Sequence, residues 1–265
     1  MLKVTVLGCG ASVGVPSLKY GWGECNSCNS KNCRTRSSII VDNDNTSLLV
    51  DMSPDLRQQL LRYGSHKIDG VFVTHMHFDH VNGINELRPL FFENDSSLQI
   101  YGREEVMKDL RKSFSYLCEP HTSADPIYKP YISTNVVEDE FIIGDMVGIC
   151  FDQDHGCSKS TGIRIGNFAY STDVMHLGDY AISRLQDLDV WIVGCISREW
   201  RPSHANLDQV LEWVNILKPK MTFLTHMSIS MDYETLLMEL PANVQPAYDQ
   251  MEIILLANDA VHSTV

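Results

Sequence analysis

Four side chains able to bind a metal fall within six residues of Thr74-His75-Met76-His77-Phe78-Asp79-His80, directly after the apolar run Val71-Phe72-Val73. A short run rich in β-branched residues that ends in such a cluster reads as a buried strand delivering its C-terminal turn to a site. His75 and His77 stand two apart and project to the same side of an extended segment. Asp79 and His80 follow on the turn and face a second point. Neutral imidazoles with a carboxylate suit zinc, manganese or iron better than calcium or magnesium.

This spacing resembles the signature of the metallo-β-lactamase superfamily. The resemblance implies a third histidine, a bridging aspartate and a final histidine, each at the end of a strand, and the chain offers all three in order. His155 follows the apolar stretch Val147 to Phe151. Asp173 follows Phe168-Ala169-Tyr170, and His226 follows Met221-Thr222-Phe223. By resemblance, His75, His77 and His155 hold one divalent metal ion, zinc or manganese. Asp79, His80 and His226 hold a second, Asp173 bridges the two, and Asp79 also orients the attacking water. Such a centre hydrolyses phosphodiesters, thioesters or amides, so the ligands alone do not name the substrate.

Further stretches narrow it. Gly8-Cys9-Gly10-Ala11-Ser12, Arg34-Thr35-Arg36-Ser37-Ser38, Asp51-Met52-Ser53-Pro54-Asp55 and Gly83-Ile84-Asn85-Glu86-Leu87-Arg88-Pro89 resemble the phosphoribosyl cyclic phosphodiesterase branch of the superfamily. That branch includes enzymes opening phosphoribosyl 1,2-cyclic phosphate. His204, in Pro202-Ser203-His204-Ala205-Asn206, resembles the general acid of phosphodiesterases of this fold, since an alkoxide leaving group benefits from an imidazolium donor. Cys25-x-x-Cys28-x-x-x-x-Cys33 suggests a structural zinc, which wants four ligands. Relatives close such a site with a histidine shortly after the last active-site ligand, and Ile229 stands at that position. His66 and His262 are the unplaced candidates for a fourth ligand. Arg36, Arg57 and Arg88 either grip a substrate phosphate or, as we favour for at least two of them, hold carboxylates such as Asp51 or Asp55. Asp51 reads as a partner to a histidine ligand.

The net charge of −13, from 21 basic and 34 acidic residues, argues against a general nucleic-acid surface. It is compatible with a small anionic substrate, because bound cations reverse the local sign. No apolar run is long enough to span a membrane. The N-terminus enters a strand directly, without a signal-peptide pattern, which points to the cytoplasm and to reduced or metal-bound cysteines. Residues 1–265 read as one domain without linker or repeat. Strands in both halves alternate with helices, and the superfamily resemblance implies an α+β fold, the αββα sandwich of two mixed sheets flanked by helices. A helix is expected from Pro54 to Tyr63 with Ser53 as N-cap, another from Leu207 behind Asn206, and an irregular cover over 115–130.

The sequence therefore reads as a dinuclear hydrolase of a small phosphodiester, and relatives imply a homodimer. The alternatives are a ribonuclease Z-like nuclease, disfavoured by the acidic charge, a thioesterase of the same fold, and a metal-binding regulatory protein without turnover.

Overall fold

Strand Leu2–Gly8 (β1) sends Val4 and Val6 into one hydrophobic core and Leu7 into another. The computed structural model describes residues 1–65, 67–91, 97–119, 130–256 and the backbone of 261–263. The same division holds in the hairpin of Ser38–Asp42 (β2) and Ser47–Val50 (β3), where Ile39, Val41, Leu48 and Val50 face the first core and Ile40 and Leu49 the second. Successive side chains of a strand face opposite sides. Strands apolar on both faces therefore need a cover on each, and the chain supplies a sheet on one side and helices on the other.

The first sheet has eight strands in the order β15-β14-β1-β2-β3-β4-β5-β6. Beyond β3 it continues in parallel through Gly70–Phe72 (β4), Leu98–Gly102 (β5) and Ile132–Val136 (β6). The second sheet begins with antiparallel Glu140–Ile143 (β7), Met146–His155 (β8), Ser158–Ile165 (β9) and Phe168–Ser171 (β10). It turns parallel through Val190–Gly194 (β11), Met221–Thr225 (β12) and Val244–Pro246 (β13). Met251–Leu255 (β14) and Val261–Ser263 (β15) then return to the first sheet, β14 lying antiparallel to β1. The result is the αββα sandwich, two mixed sheets face to face with helices outside.

Between the sheets, Phe72 of β4 meets Phe141 of β7 with ring centroids 5.2 Å apart. Helices Leu56–Tyr63 and Glu104–Ser113 cover the outer face of the first sheet through Leu56, Leu60, Met107 and Leu110. Helix Leu207–Leu217 covers the second, where Trp213 lies against Trp191. β11 is buried along its whole length, as a parallel strand with both faces covered must be.

Two details differ from expectation. The helix begins at Leu56 with Asp55 at its N-cap, later than Ser53-Pro54 predicted. The Ser53 hydroxyl instead accepts from the Asp55 N–H and donates to Gln59, closing a turn ahead of the helix. Of the expected cover over 115–130, Ser115–Cys118 forms a short helix and residues 120–129 lie outside the described residues. No described helix is long and apolar enough to cross a membrane.

Phe72→Ala should destabilise the protein by ~3–5 kcal/mol through transfer and cavity terms. Asn206 holds a capping box with Gln209, so Asn206→Ala should cost only ~1 kcal/mol. Urea unfolding of both variants checks the ranking.

Candidate metal centre

The C-terminal ends of parallel strands from both sheets converge at one edge of the sandwich, where open α/β sheets place their ligands. Asp51 follows β3, the His75–His80 turn follows β4, Asp173 follows β10 and His226 follows β12, while His155 ends β8. Three of these residues adopt left-handed backbone, Asp51 at φ 63°, Asp173 at φ 49° and His226 at φ 55°. Non-glycine residues held there cost on the order of 1–3 kcal/mol each and persist where the surroundings fix them.

The buried Asp51 carboxylate sets the ring orientation of the cluster. It accepts from the Thr74 N–H and Thr74 hydroxyl, each at 2.8 Å, and its Oδ2 lies 2.6 Å from His80 Nδ1. With its proton given to Asp51, the Thr74 hydroxyl is left as acceptor for His75 Nδ1 at 3.0 Å. Both rings therefore carry their hydrogen on Nδ1 and turn Nε2 toward the centre. His155 does the same, with Nδ1 2.6 Å from the Ser203 carbonyl.

These inward nitrogens meet Asp173. Its Oδ2 lies 3.6 Å from His75 Nε2 and 3.5 Å from His155 Nε2. Its Oδ1 lies 3.2 Å from both His80 Nε2 and His226 Nε2. The ligand atoms of His75, His77, His155 and Asp173 lie within 4.8 Å of one another, as do those of Asp79, His80, Asp173 and His226. These are the two sets expected from the sequence, meeting at the aspartate expected to bridge. The buried Nε2 atoms of His75 and His80 have no hydrogen-bond partner, an arrangement that is costly unless a cation takes the lone pairs. Borderline nitrogen donors with carboxylate oxygens fit a divalent transition metal or zinc.

Charge within the cluster points the same way. Burial would raise the Asp173 pKa, but the charges of His226, His80 and His75 hold it well below the carboxylate range. Burial would lower His80, but Asp173 and Asp51 push it well above the usual imidazole value. Without a cation, a proton on His80 offsets the buried carboxylates, so proton and metal compete for one nitrogen.

His204 sits over the same centre, brought there by the Ala205 N–H bonding the Val174 carbonyl. Its Nδ1 lies 3.8 Å from Asp173 Oδ2, and its ring is nearly parallel to that of His226 at 4.9 Å. Burial, then the neighbouring His226, lower its pKa to about 3, against the pull of Asp173. A cavity of about 380 Å³ opens here, walled by Ser12, Phe78, Ser203 and His204 above Asp79 and Asp173. A groove of about 800 Å³ adjoins it past His77 and Cys157, lined by Glu105, Asp109, Asp152 and Asp154 with Lys159. Ser12 arrives because Ala11 N–H bonds Met227 O and Gly10 N–H bonds Thr35 O. Thr74, Ser203, Ser12 and Phe78 were not singled out by the sequence. The signal each carried was its place in a motif stretch, Thr74 and Phe78 within the histidine turn, Ser203 directly before His204 and Ser12 at the end of Gly8-Cys9-Gly10-Ala11-Ser12.

The cysteine segment is held by contacts of another kind. No group of three metal-capable side chains among the described residues includes Cys25, Cys28 or Cys33. Cys25 is buried and donates to the Ile229 carbonyl at 3.4 Å, while Cys28 and Cys33 are exposed. Ile229 packs against the segment so closely that a Cβ on Gly23 would stand 2.7 Å from it. Asp232 accepts from the Asn26 N–H and from the Asn32 amide, and the Arg34 guanidinium lies 3.8 Å from Cys25 Sγ. His66 and the His262 side chain lie outside the described residues. Among the arginines, Arg36 Nε pairs with Asp55 at 2.9 Å, as favoured from the sequence, whereas Arg57 is exposed.

The family model described as "Beta-lactamase superfamily domain" matches residues 46–227. A solved diphosphatase of the PhnP family is 30% identical, with a TM-score of 0.88 over 97% of this chain and 98% of that one. An octanoyltransferase of Porphyromonas gingivalis is 28% identical over 264 residues, 96% of this chain but 52% of that protein. The chain thus spans about half the length of that curated relative. Zn(2+)-bound PqqB from Methylobacterium extorquens shares the fold at 18% identity, with a TM-score of 0.73 over 96% of this chain and 100% of that one.

Changing Cys25, Cys28 and Cys33 together to Ser should leave bound metal unchanged, whereas Asp232→Ala should lower stability by ~1–3 kcal/mol. Metal counting and denaturant unfolding of the two variants check this, and loss of a metal ion from the triple variant would restore the structural site.

Proposed function

Because this chain belongs to the metallo-β-lactamase superfamily, we propose that it is a dinuclear metallohydrolase, one domain over 1–265, acting on a small phosphodiester. The favoured class is a cyclic ribose phosphate, with phosphoribosyl 1,2-cyclic phosphate as the first candidate. The observation that carries the reading is the meeting of two four-residue groups at Asp173 beneath His204. His75, His77, His155 and Asp173 would hold one ion, and Asp79, His80, Asp173 and His226 the other. Two divalent ions supply Lewis-acid polarisation, charge stabilisation on phosphorus and a lowered pKa for water.

The chain's own groups do the rest. The neighbouring imidazoles of His226 and His80 outweigh burial and hold the Asp79 carboxyl well below its ordinary range, so it is an acceptor that would aim the attacking water through a hydrogen bond. The departing oxygen takes a proton from His204, whose ring faces the cavity beside His155 and His226. An anionic phosphodiester beside that ring favours its protonated form, against the burial that otherwise keeps it neutral. Ser12 and Ser203 offer polar contacts at the walls. The carboxylates of the adjoining groove disfavour a polyanion laid along it, which supports a small substrate over a tRNA.

The likeness to a PhnP-family diphosphatase favours a second reading, a diphosphate linkage cleaved by the same residues. Hydrolysis of phosphoribosyl 1,2-cyclic phosphate, bis-p-nitrophenyl phosphate, a nucleoside diphosphate ester and a thioester, with metals counted in the same sample, separates these readings. Turnover of the thioester alone would refute the phosphodiesterase reading. His75→Ala should remove metal and activity together. His204→Ala should keep about two metals per chain and slow alkoxide departure by ~10²–10⁴. Departure of p-nitrophenolate, which needs little protonation, should fall far less. Equal losses on both leaving groups would remove the general-acid role.

A further inference from the structure

The Ser12 wall of the 380 Å³ cavity is loop rather than regular structure. β1 ends at Gly8, and Ser12 stands in a tight turn closed by the Gly14 N–H on the Ala11 carbonyl. The Ser12 hydroxyl has no hydrogen-bond partner among the described residues. Backbone ties hold the turn on both sides, the Ala11 N–H on the Met227 carbonyl and a two-bond pairing of Val15 with Arg34. Behind them lies a carboxylate that the proposed reaction does not use. Asp249 Oδ1 accepts from the Cys9 N–H at 3.2 Å, and its Oδ2 accepts from the Thr35 N–H at 2.8 Å and the Thr35 hydroxyl at 2.6 Å. Gln59 Nε2 donates to that hydroxyl at 2.8 Å, which leaves the Thr35 proton for Asp249. Gly8 makes room for this crossing, since a Cβ there would overlap the Thr35 hydroxyl and the Gln59 amide. Burial pushes the Asp249 carboxyl up to about 6 against these donors, so its charge at neutral pH costs the fold stability rather than supplying it.

Resting on the phosphodiesterase reading above, we propose that Asp249 is a positioning residue that sets Ser12 as a hydrogen-bond donor to a non-reacting phosphoryl oxygen. The turn leaves Cys9 and returns to pair with Arg34, so the spacing of the Cys9 and Thr35 backbones fixes where Ser12 stands. Asp249 spans that spacing with one oxygen for each segment. The Gly10 N–H on the Thr35 carbonyl joins the same two segments one residue nearer to Ser12. A loop donor held in place before the ligand arrives loses little ordering on binding. Asparagine has a single acceptor oxygen and would turn an N–H₂ group toward one of these donors. Because the contact is made to an oxygen that does not react, its loss is read in KM rather than kcat.

The test uses manganese-loaded protein and bis-p-nitrophenyl phosphate, with metals counted in each sample. Ser12→Ala and Asp249→Asn should each raise KM by about tenfold to hundredfold, with kcat and metal content kept. The double variant should be no worse than Ser12→Ala, because both changes remove one contact. Thr35→Val should match Asp249→Asn, and Thr35→Ser should recover most of that loss. An unchanged KM in Asp249→Asn overturns the proposal. So do additive losses in the double variant, or a loss of metal, which would place the effect at Met227 and His226. Alkylation of individual cysteines, read by mass spectrometry, separates a local from a general effect. The Cys9 thiol is buried and donates to the Ala247 carbonyl at 3.4 Å, and Cys195 is buried elsewhere. Asp249→Asn should speed alkylation of Cys9 and leave Cys195 protected, whereas equal gains at both show a merely structural role and overturn the proposal. If wild type cleaves no phosphodiester, the phosphodiesterase reading falls and takes the phosphoryl contact with it. Unchanged Cys9 alkylation in an active enzyme removes only the hold given to Asp249.

Discussion

The Asp51 carboxylate is the contact on which the centre depends. It lies fully buried where β3 ends, held at a positive φ, and it engages Thr74 by backbone and side chain and His80 by its ring. Through the Thr74 hydroxyl it also fixes His75. One acceptor thus determines the tautomer of a ligand in each of the two candidate metal groups. Without it, both rings could turn and the inward nitrogens would scatter. A buried carboxylate is costly unless its oxygens are satisfied, and here three donors converge on it.

The sandwich makes that convergence possible. Each sheet has a parallel half, β3 to β6 in the first and β10 to β13 in the second. Parallel strands end together, so the residues after them share one edge. Facing the two sheets puts both edges side by side, and the antiparallel β8 adds His155 from its last position. The strained backbone at Asp51, Asp173 and His226 marks where chain direction changes abruptly to aim a side chain. The buried sheets hold these three residues in place.

Much of this was legible because the candidate ligands announce themselves locally. The histidine turn follows an apolar strand, and His155, Asp173 and His226 each follow another, so residue type and strand periodicity marked the same positions. Helix Leu207–Leu217 was readable for the same reason, with Asn206 and Gln209 forming its cap from adjacent sequence. What failed were features set by distant partners. Ser53-Pro54 looked like a helix start, but Gln59 and Asp55 draw the Ser53 hydroxyl into a turn. The packing of the cysteine segment was equally hidden, since Asp232 and Ile229, some two hundred residues away in sequence, hold it. The Ser203 carbonyl that orients His155 could not be read, since any residue carries a carbonyl.

The acidic character of the chain and the anionic substrate proposed for it are reconciled at the centre itself. Asp51, Asp79 and Asp173 are buried within a few side chains of one another, with His80 held protonated by Asp173 and Asp51 when no cation is present. Two divalent cations would replace that proton and turn a negative cluster into a positive one. The carboxylates of the groove outside remain. A phosphodiester would then meet attraction only at the mouth of the small cavity and repulsion along the groove beside it. That contrast of fields would admit one phosphate near His204 and resist a chain of them, so charge and cavity shape would select for small size before any sugar is recognised.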